Sequence, residues 1–108
     1  MTLGEALDIL IADVAAKASA DPETSYTAQL LGKGVGKCAK KFGEEAVEAA
    51  LAAVSEGPES LASEAADTLY HLAVLLHAAG VSTDAVADAL TKRRGVSGLA
   101  EKASRQAE

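Results

Sequence analysis

The 108-residue sequence has no tryptophan, only three aromatic residues (Tyr26, Phe42 and Tyr70), two prolines and one cysteine. A lone Cys38 excludes an internal disulfide, and with it the disulfide scaffolds of small secreted proteins; a reducing cytoplasm is the expected location. Lysines near Cys38 would lower its pKa, but no convincing histidine partner accompanies them, so a nucleophilic role is disfavoured. No apolar run reaches 18 residues, which excludes a membrane-spanning helix, and MTLGEALDIL lacks the basic region and cleavage site of a signal peptide. Positive charge is also short: 10 Lys+Arg against 16 Asp+Glu give a net charge of −6. That argues against nucleic acid or an anionic membrane as the main partner and fits cation binding. No stretch has the period-two alternation of a strand, and no internal repeat stands out.

Hydrophobic residues make up 49% of the chain, enough for a core, but much of that is alanine. Alanine, leucine and valine suit close-packed helices. Each such helix buries little area, and a small chain of this kind gains the missing burial by self-association. The expectation is one all-α domain over residues 1–108. It is a bundle of about four to five helices, completed by dimerisation, with residues 94–108 as a basic tail.

Gly43 to Asp67 dominates the pattern. Two helix-like segments each carry an acidic pair three residues apart, Glu45 with Glu48 and Glu64 with Asp67, and such pairs share a helix face. Between them SEGPES supplies a stop at Gly57 and a restart at Pro58, so the helices can pack antiparallel. The segments AALAAVS and TLYHLAVLLHAAGVST carry no charge and are apolar enough to be buried nearly all round. A solvated acidic face is the plain reading of one such pair. Two pairs beside apolar runs favour a site where carboxylates converge on a hard divalent cation, Mg²⁺ above all.

The remainder falls into place around this stretch. Thr2 and Glu5 form a capping-box pattern, and Leu3, Leu7, Leu10 and Val14 make an apolar stripe on a first helix reaching about Ala20. Asp8 and Asp13 face away from it. Ala20 to Glu23 is a break. Gly32, Gly34 and Gly36 in LGKGVGK read as a flexible loop; the spacing is not that of a Walker A motif. Lys37, Lys40 and Lys41 lie on one face of a helix start. They are placed either for Lys40–Glu44 and Lys41–Glu45 ion pairs or as a phosphate-binding patch beside the metal. From about Pro58 to Ala79 a second acidic helix has Leu61, Ala65, Leu69, Leu72, Leu76 and Ala79 as its core stripe. His71 there is either a packed core residue or the partner of a carboxylate. Gly80 ends that helix, Ser82 caps the next, and Val86 and Leu90 point inward from it. A tail with basic Lys92, Arg93, Arg94, Lys102 and Arg105 follows.

A carboxylate-bound Mg²⁺ with adjacent lysines suits metal-dependent attack on a phosphate ester or anhydride. The residues Glu44, Glu45, Glu48, Glu64 and Asp67 reproduce E-E-x-x-E followed by E-x-x-D. In them the sequence resembles the all-α, MazG-like nucleoside triphosphate pyrophosphohydrolases. Within that superfamily it is most similar to the phosphoribosyl-ATP pyrophosphohydrolase family, through SYTAQLL, KCAKKFGEEAVEAALAA, SEAADTLYHLAVLL and RRGVSGLAEKASR. It departs from that family at Val35-Gly36, where a proline or acidic residue is common.

The resemblance implies cleavage between the α- and β-phosphates of phosphoribosyl-ATP with Mg²⁺, in histidine biosynthesis, by a homodimer of helical subunits. Glu45, Glu48, Glu64 and Asp67 would hold the metal, and Glu44 would be a further ligand or the general base. Lys37, Lys40 and Lys41 would meet phosphates. Tyr26, Arg94, Ser97 and Lys102 would contact ribose or phosphate. The alternatives are a housekeeping pyrophosphohydrolase acting on other nucleotides and a helical dimerisation module without catalysis. A di-iron bundle is disfavoured because no Glu-x-x-His is present.

Overall fold

The capping box at Thr2 forms: its Oγ accepts the Glu5 amide at 3.1 Å, and Glu5 Oε1 accepts the Thr2 amide at 3.3 Å. It opens helix α1, Leu3–Lys17. The computed structural model describes residues 1–96 and 98–107, and among these no strand occurs. Five further helices follow: α2, Tyr26–Gly32; α3, Val35–Ser55; α4, Pro58–Ala78; α5, Thr83–Arg93; and α6, Gly98–Ala107. The molecule is all-α, as the composition implies.

Local chemistry sets the joints. Ser25 caps α2 by accepting the Ala28 amide, and Ser82 caps α5 by accepting that of Asp84, both at 3.1 Å. Gly80 closes α4 at φ +70, a left-handed backbone that costs a residue with a Cβ. The glycine-rich stretch is less loop-like than its composition suggests. Gly32 ends α2 and Gly36 lies in the first turn of α3, so only Gly34, at φ +91, performs the turn. Packing of the flanking helices outweighs the modest helix cost of two glycines.

α3 and α4 are both 21 residues long, joined only by Glu56 and Gly57, and make the most extensive contact in the chain. They form an antiparallel hairpin. α1 and α2 pack against it, and the core sits where Val14, Leu30, Cys38 and Val74 meet, one residue from each of these four helices. Cys38 donates its S–H to the Leu30 carbonyl at 3.3 Å.

Burial differs from the expected stripes. α3 and α4 are not covered all round: Val47, Leu51 and Val54 stand 59%, 55% and 82% exposed along one line of α3. On α4, Leu61, Ala65 and Ala79 are exposed and Leu69, Leu72 and Leu76 half-buried, while the buried positions are His71 and Val74. On α5, Val86 is half-buried and Leu90 exposed. The reason is geometric: a helix in a single chain of this size has neighbours on one side only, and α5 contributes no buried residue. No single helix among the described residues is long and apolar enough to cross a membrane.

Candidate active site: three carboxylates beside a lysine-lined groove

The α3–α4 hairpin brings the acidic pairs together. One carboxylate oxygen each from Glu45, Glu48 and Glu64 lies within 4.8 Å of the other two. Glu45 is buried, Glu64 half-buried and Glu48 exposed. Asp67, exposed on α4, is not among the three. Between the helices Thr68 acts as a clasp: its hydroxyl lies 2.8 Å from the Glu64 carbonyl on its own helix and 3.2 Å from the Glu45 carbonyl across the interface. Sequence reasoning did not single out Thr68. A threonine four residues after Glu64 signals bonding back along its own helix, but its reach to α3 depends on the packing.

Charge in the cluster is unevenly held. Burial is the largest influence on Glu45 and opposes its ionisation. The hydrogen bond from Lys41, the one shared with Glu48 and the charges of Lys41 and His71 nevertheless hold Glu45 below the usual carboxylate range. Glu48 is pushed upward, first by its hydrogen bond and charge contact with Glu45, then by loss of solvent and by Glu64. Glu64 Oε2 is buried with no hydrogen-bond partner. A buried, unpartnered carboxylate oxygen facing two more carboxylates is a donor set for a hard divalent cation.

Of the two expected i,i+4 bridges, Lys41–Glu45 forms and Lys40–Glu44 does not. Lys41 Nζ lies 3.2 Å from Glu45 and 3.9 Å from Glu44, while no Lys40–Glu44 ion pair forms. The bond to Glu45 raises the Lys41 pKa. Lys33, Lys37, Lys40 and Lys41 line one groove of about 260 Å³, with Tyr26 and Leu30 from α2 opposite and Glu44 at its end. Glu44 also borders the recess containing Glu48.

Tyr26 is exposed at the groove and stacks on Tyr70, ring centroids 6.3 Å apart. The Tyr70 hydroxyl is fixed by Thr27 at 2.6 Å, and the ring meets His71 edge-on at 4.9 Å. His71 is buried. Its Nδ1 bonds the Asp67 backbone carbonyl at 2.8 Å, not a carboxylate, and its Nε2 is buried without a partner. Arg94 and Lys102 are exposed and do not line the groove; Ser97 lies outside the described residues. The Cys38 thiol is pushed up by burial, so the neighbouring lysines do not activate it.

An all-α fold in which a carboxylate cluster on a helical hairpin abuts a lysine-lined groove defines a MazG-like nucleotide pyrophosphohydrolase, a hydrolase. Residues 8–94 match the family model described as phosphoribosyl-ATP pyrophosphohydrolase, and the chain belongs to that family. Over 100 residues it is 57% identical to the phosphoribosyl-ATP pyrophosphatase of Rhodobacter capsulatus, covering 93% of this chain and 97% of that one. Over 97 residues it is 59% identical to the protein of the same name from Methylobacterium radiotolerans, covering 90% and 91% of the two chains. Over 93 residues it is 60% identical to the one from Azorhizobium caulinodans, covering 86% and 85%.

Proposed function

We propose that the protein hydrolyses phosphoribosyl-ATP to phosphoribosyl-AMP and pyrophosphate, the second step of L-histidine biosynthesis, with Mg²⁺, as a cytoplasmic homodimer of single-domain subunits. The observation that carries this reading is the convergence of Glu45, Glu48 and Glu64 within 4.8 Å, next to a groove walled by four lysines. Family membership and relatives of that name support the substrate.

Glu45, Glu48 and Glu64, with Asp67 one turn along α4, would hold Mg²⁺, which neutralises charge on the phosphates and on departing pyrophosphate. Lys40 and Lys41 draw the anionic chain toward the carboxylates and offset its charge. Glu44 lies outside the three-oxygen set yet faces the groove, which leaves it free to take a proton. A water attacks the α-phosphorus and gives that proton to Glu44. The bond from the α-phosphorus to its bridging oxygen breaks, and that oxygen leaves with pyrophosphate. Tyr26 at the groove rim is placed for the ribose or base, and Arg94, Ser97 and Lys102 are further contacts to ribose or phosphate. The exposed apolar line on α3 supports the dimer.

The test is pyrophosphate release from phosphoribosyl-ATP, ATP and dCTP with Mg²⁺, for the wild type and Glu48→Gln. Release from phosphoribosyl-ATP, lost in the variant and in chelator, is expected. Comparable release from ordinary nucleotides would move the protein to a housekeeping role. No release by folded protein would leave a helical module without catalysis.

A further inference from the structure

The proposed substrate is ATP bearing an additional phosphoribosyl group, so it carries phosphate at two ends. One end is the triphosphate that reacts. The other is a single phosphate on the second ribose, which ATP lacks. The carboxylate cluster meets only the anhydride common to both and cannot tell them apart.

The lysine groove extends well beyond the cluster. Lys41 Nζ already touches Glu45 at 3.2 Å. Lys37 lies eight positions before Glu45 and eleven before Glu48 on the same helix, rises of ~12 and ~16 Å at 1.5 Å per residue. A triphosphate chain is roughly one to one and a half helical turns long, ~5–8 Å. Seated on the carboxylates it is met by Lys41 and Lys40 and ends short of Lys37. Lys33 stands just before α3, at the C-cap of α2. Lys33 and Lys37 nevertheless line the same groove, and neither has an ion-pair partner among the described residues. Glu44, the one acidic residue of the lining, stands at the carboxylate end. Two cations left over at the far end call for a second anion, at a distance from the first that two riboses and a base can span.

We infer that Lys33 and Lys37 form a second phosphate subsite, which takes the monophosphate of the phosphoribosyl arm and so selects this substrate over ATP. This deepens the proposed function and rests on it. Phosphate contacts made equally in ground and transition states act on KM and leave kcat, so the subsite sets discrimination, not chemistry.

The test compares wild type, the double variant Lys33→Gln/Lys37→Gln and Lys41→Gln. Steady-state pyrophosphate release is measured on phosphoribosyl-ATP and ATP, and binding of free ribose 5-phosphate by calorimetry. Each lost charge-assisted contact is expected to cost about tenfold. The double variant should therefore raise KM for phosphoribosyl-ATP by roughly 10–100-fold, lower its preference over ATP by the same factor and lose ribose 5-phosphate binding. Lys41→Gln should lower kcat/KM on both substrates together. A double variant that keeps the wild-type preference and binds ribose 5-phosphate as before overturns the subsite, as does one that loses both substrates equally. If the wild type fails to release pyrophosphate from phosphoribosyl-ATP, the proposed function falls, and the ribose 5-phosphate titration still decides whether these two lysines bind a monophosphate ester.

Discussion

Glu48 and Glu45 differ in how folding treats their charge. Glu48 has a raised pKa, so its contribution to stability exists below the unfolded value and is lost as pH rises through the folded one; at neutral pH its charge works against the fold. Glu45 is lowered, so its contribution is present above the unfolded value and lost as pH falls. In chelator at pH 7, Glu48→Gln should therefore melt higher than the wild type, with the gap closing toward pH 4–5 (about the free carboxylate value). Added Mg²⁺ should raise the melting temperature of the wild type and scarcely move the variant; equal Mg²⁺ shifts in both would refute the ligand role. Cys38 gives a second check at this scale. Its buried, raised thiol should react with iodoacetamide at pH 8 only as fast as the chain opens, and promptly in urea, as mass spectrometry would record. The acidic residues were legible because helical spacing alone places i and i+3 on one face. It was not legible that Asp67 would stand apart from the tight set, which depends on how α4 is rotated against α3, or that His71 would bond the carbonyl four residues back on its own helix, which depends on its side-chain rotamer.

At the scale of elements, the Thr68 clasp and the Gly34 turn carry testable weight. Thr68→Val removes a hydroxyl that reaches both acidic helices, and should cost ~0.5–1.5 kcal/mol. For a domain of this length that corresponds to a fall in melting temperature of about 4–8 °C per kcal/mol. Because the clasp sets the spacing of Glu45 and Glu64, the variant should also show a smaller Mg²⁺-induced shift. Gly34→Ala should cost ~1–2 kcal/mol in urea denaturation, since φ +91 lies in the left-handed region and no contact there compensates; Gly36→Ala, inside a helix, should be neutral or stabilising. Helices α1, α4 and α5 were readable from caps and breaks: Thr2 and Ser82 cap, and Pro58 and Gly80 bound α4; α2, capped by Ser25, and α6, in the stretch read as a basic tail, were not. The apolar faces were read less well. Leu61 and Leu90 fit a helical stripe as well as Val74 does, and periodicity does not say which stripe finds a neighbour.

At the scale of the whole molecule, an apolar line on α3 is left uncovered. Val47, Leu51 and Val54 stand exposed on the helix that bears Glu45 and Glu48. Covering them is what the proposed dimer accomplishes, so Leu51→Glu should shift sedimentation from dimer to monomer and lower the melting temperature. A wild type already monomeric at micromolar concentration would remove that part of the proposal.

α3 has a further property that only its full length reveals. Its amino-terminal turns hold Lys37, Lys40 and Lys41, and its carboxylates begin in the third turn. This order runs against the helix dipole, which favours negative charge at the start; the cost, ~0.3–1 kcal/mol, falls on Lys37 in the first turn. Under the proposed function, a bound polyphosphate would supply the anion that the first turns lack, and a metal the cation that the middle lacks. Amide hydrogen exchange across the first two turns of α3, anchored by buried Cys38, should slow further when pyrophosphate and Mg²⁺ enter together.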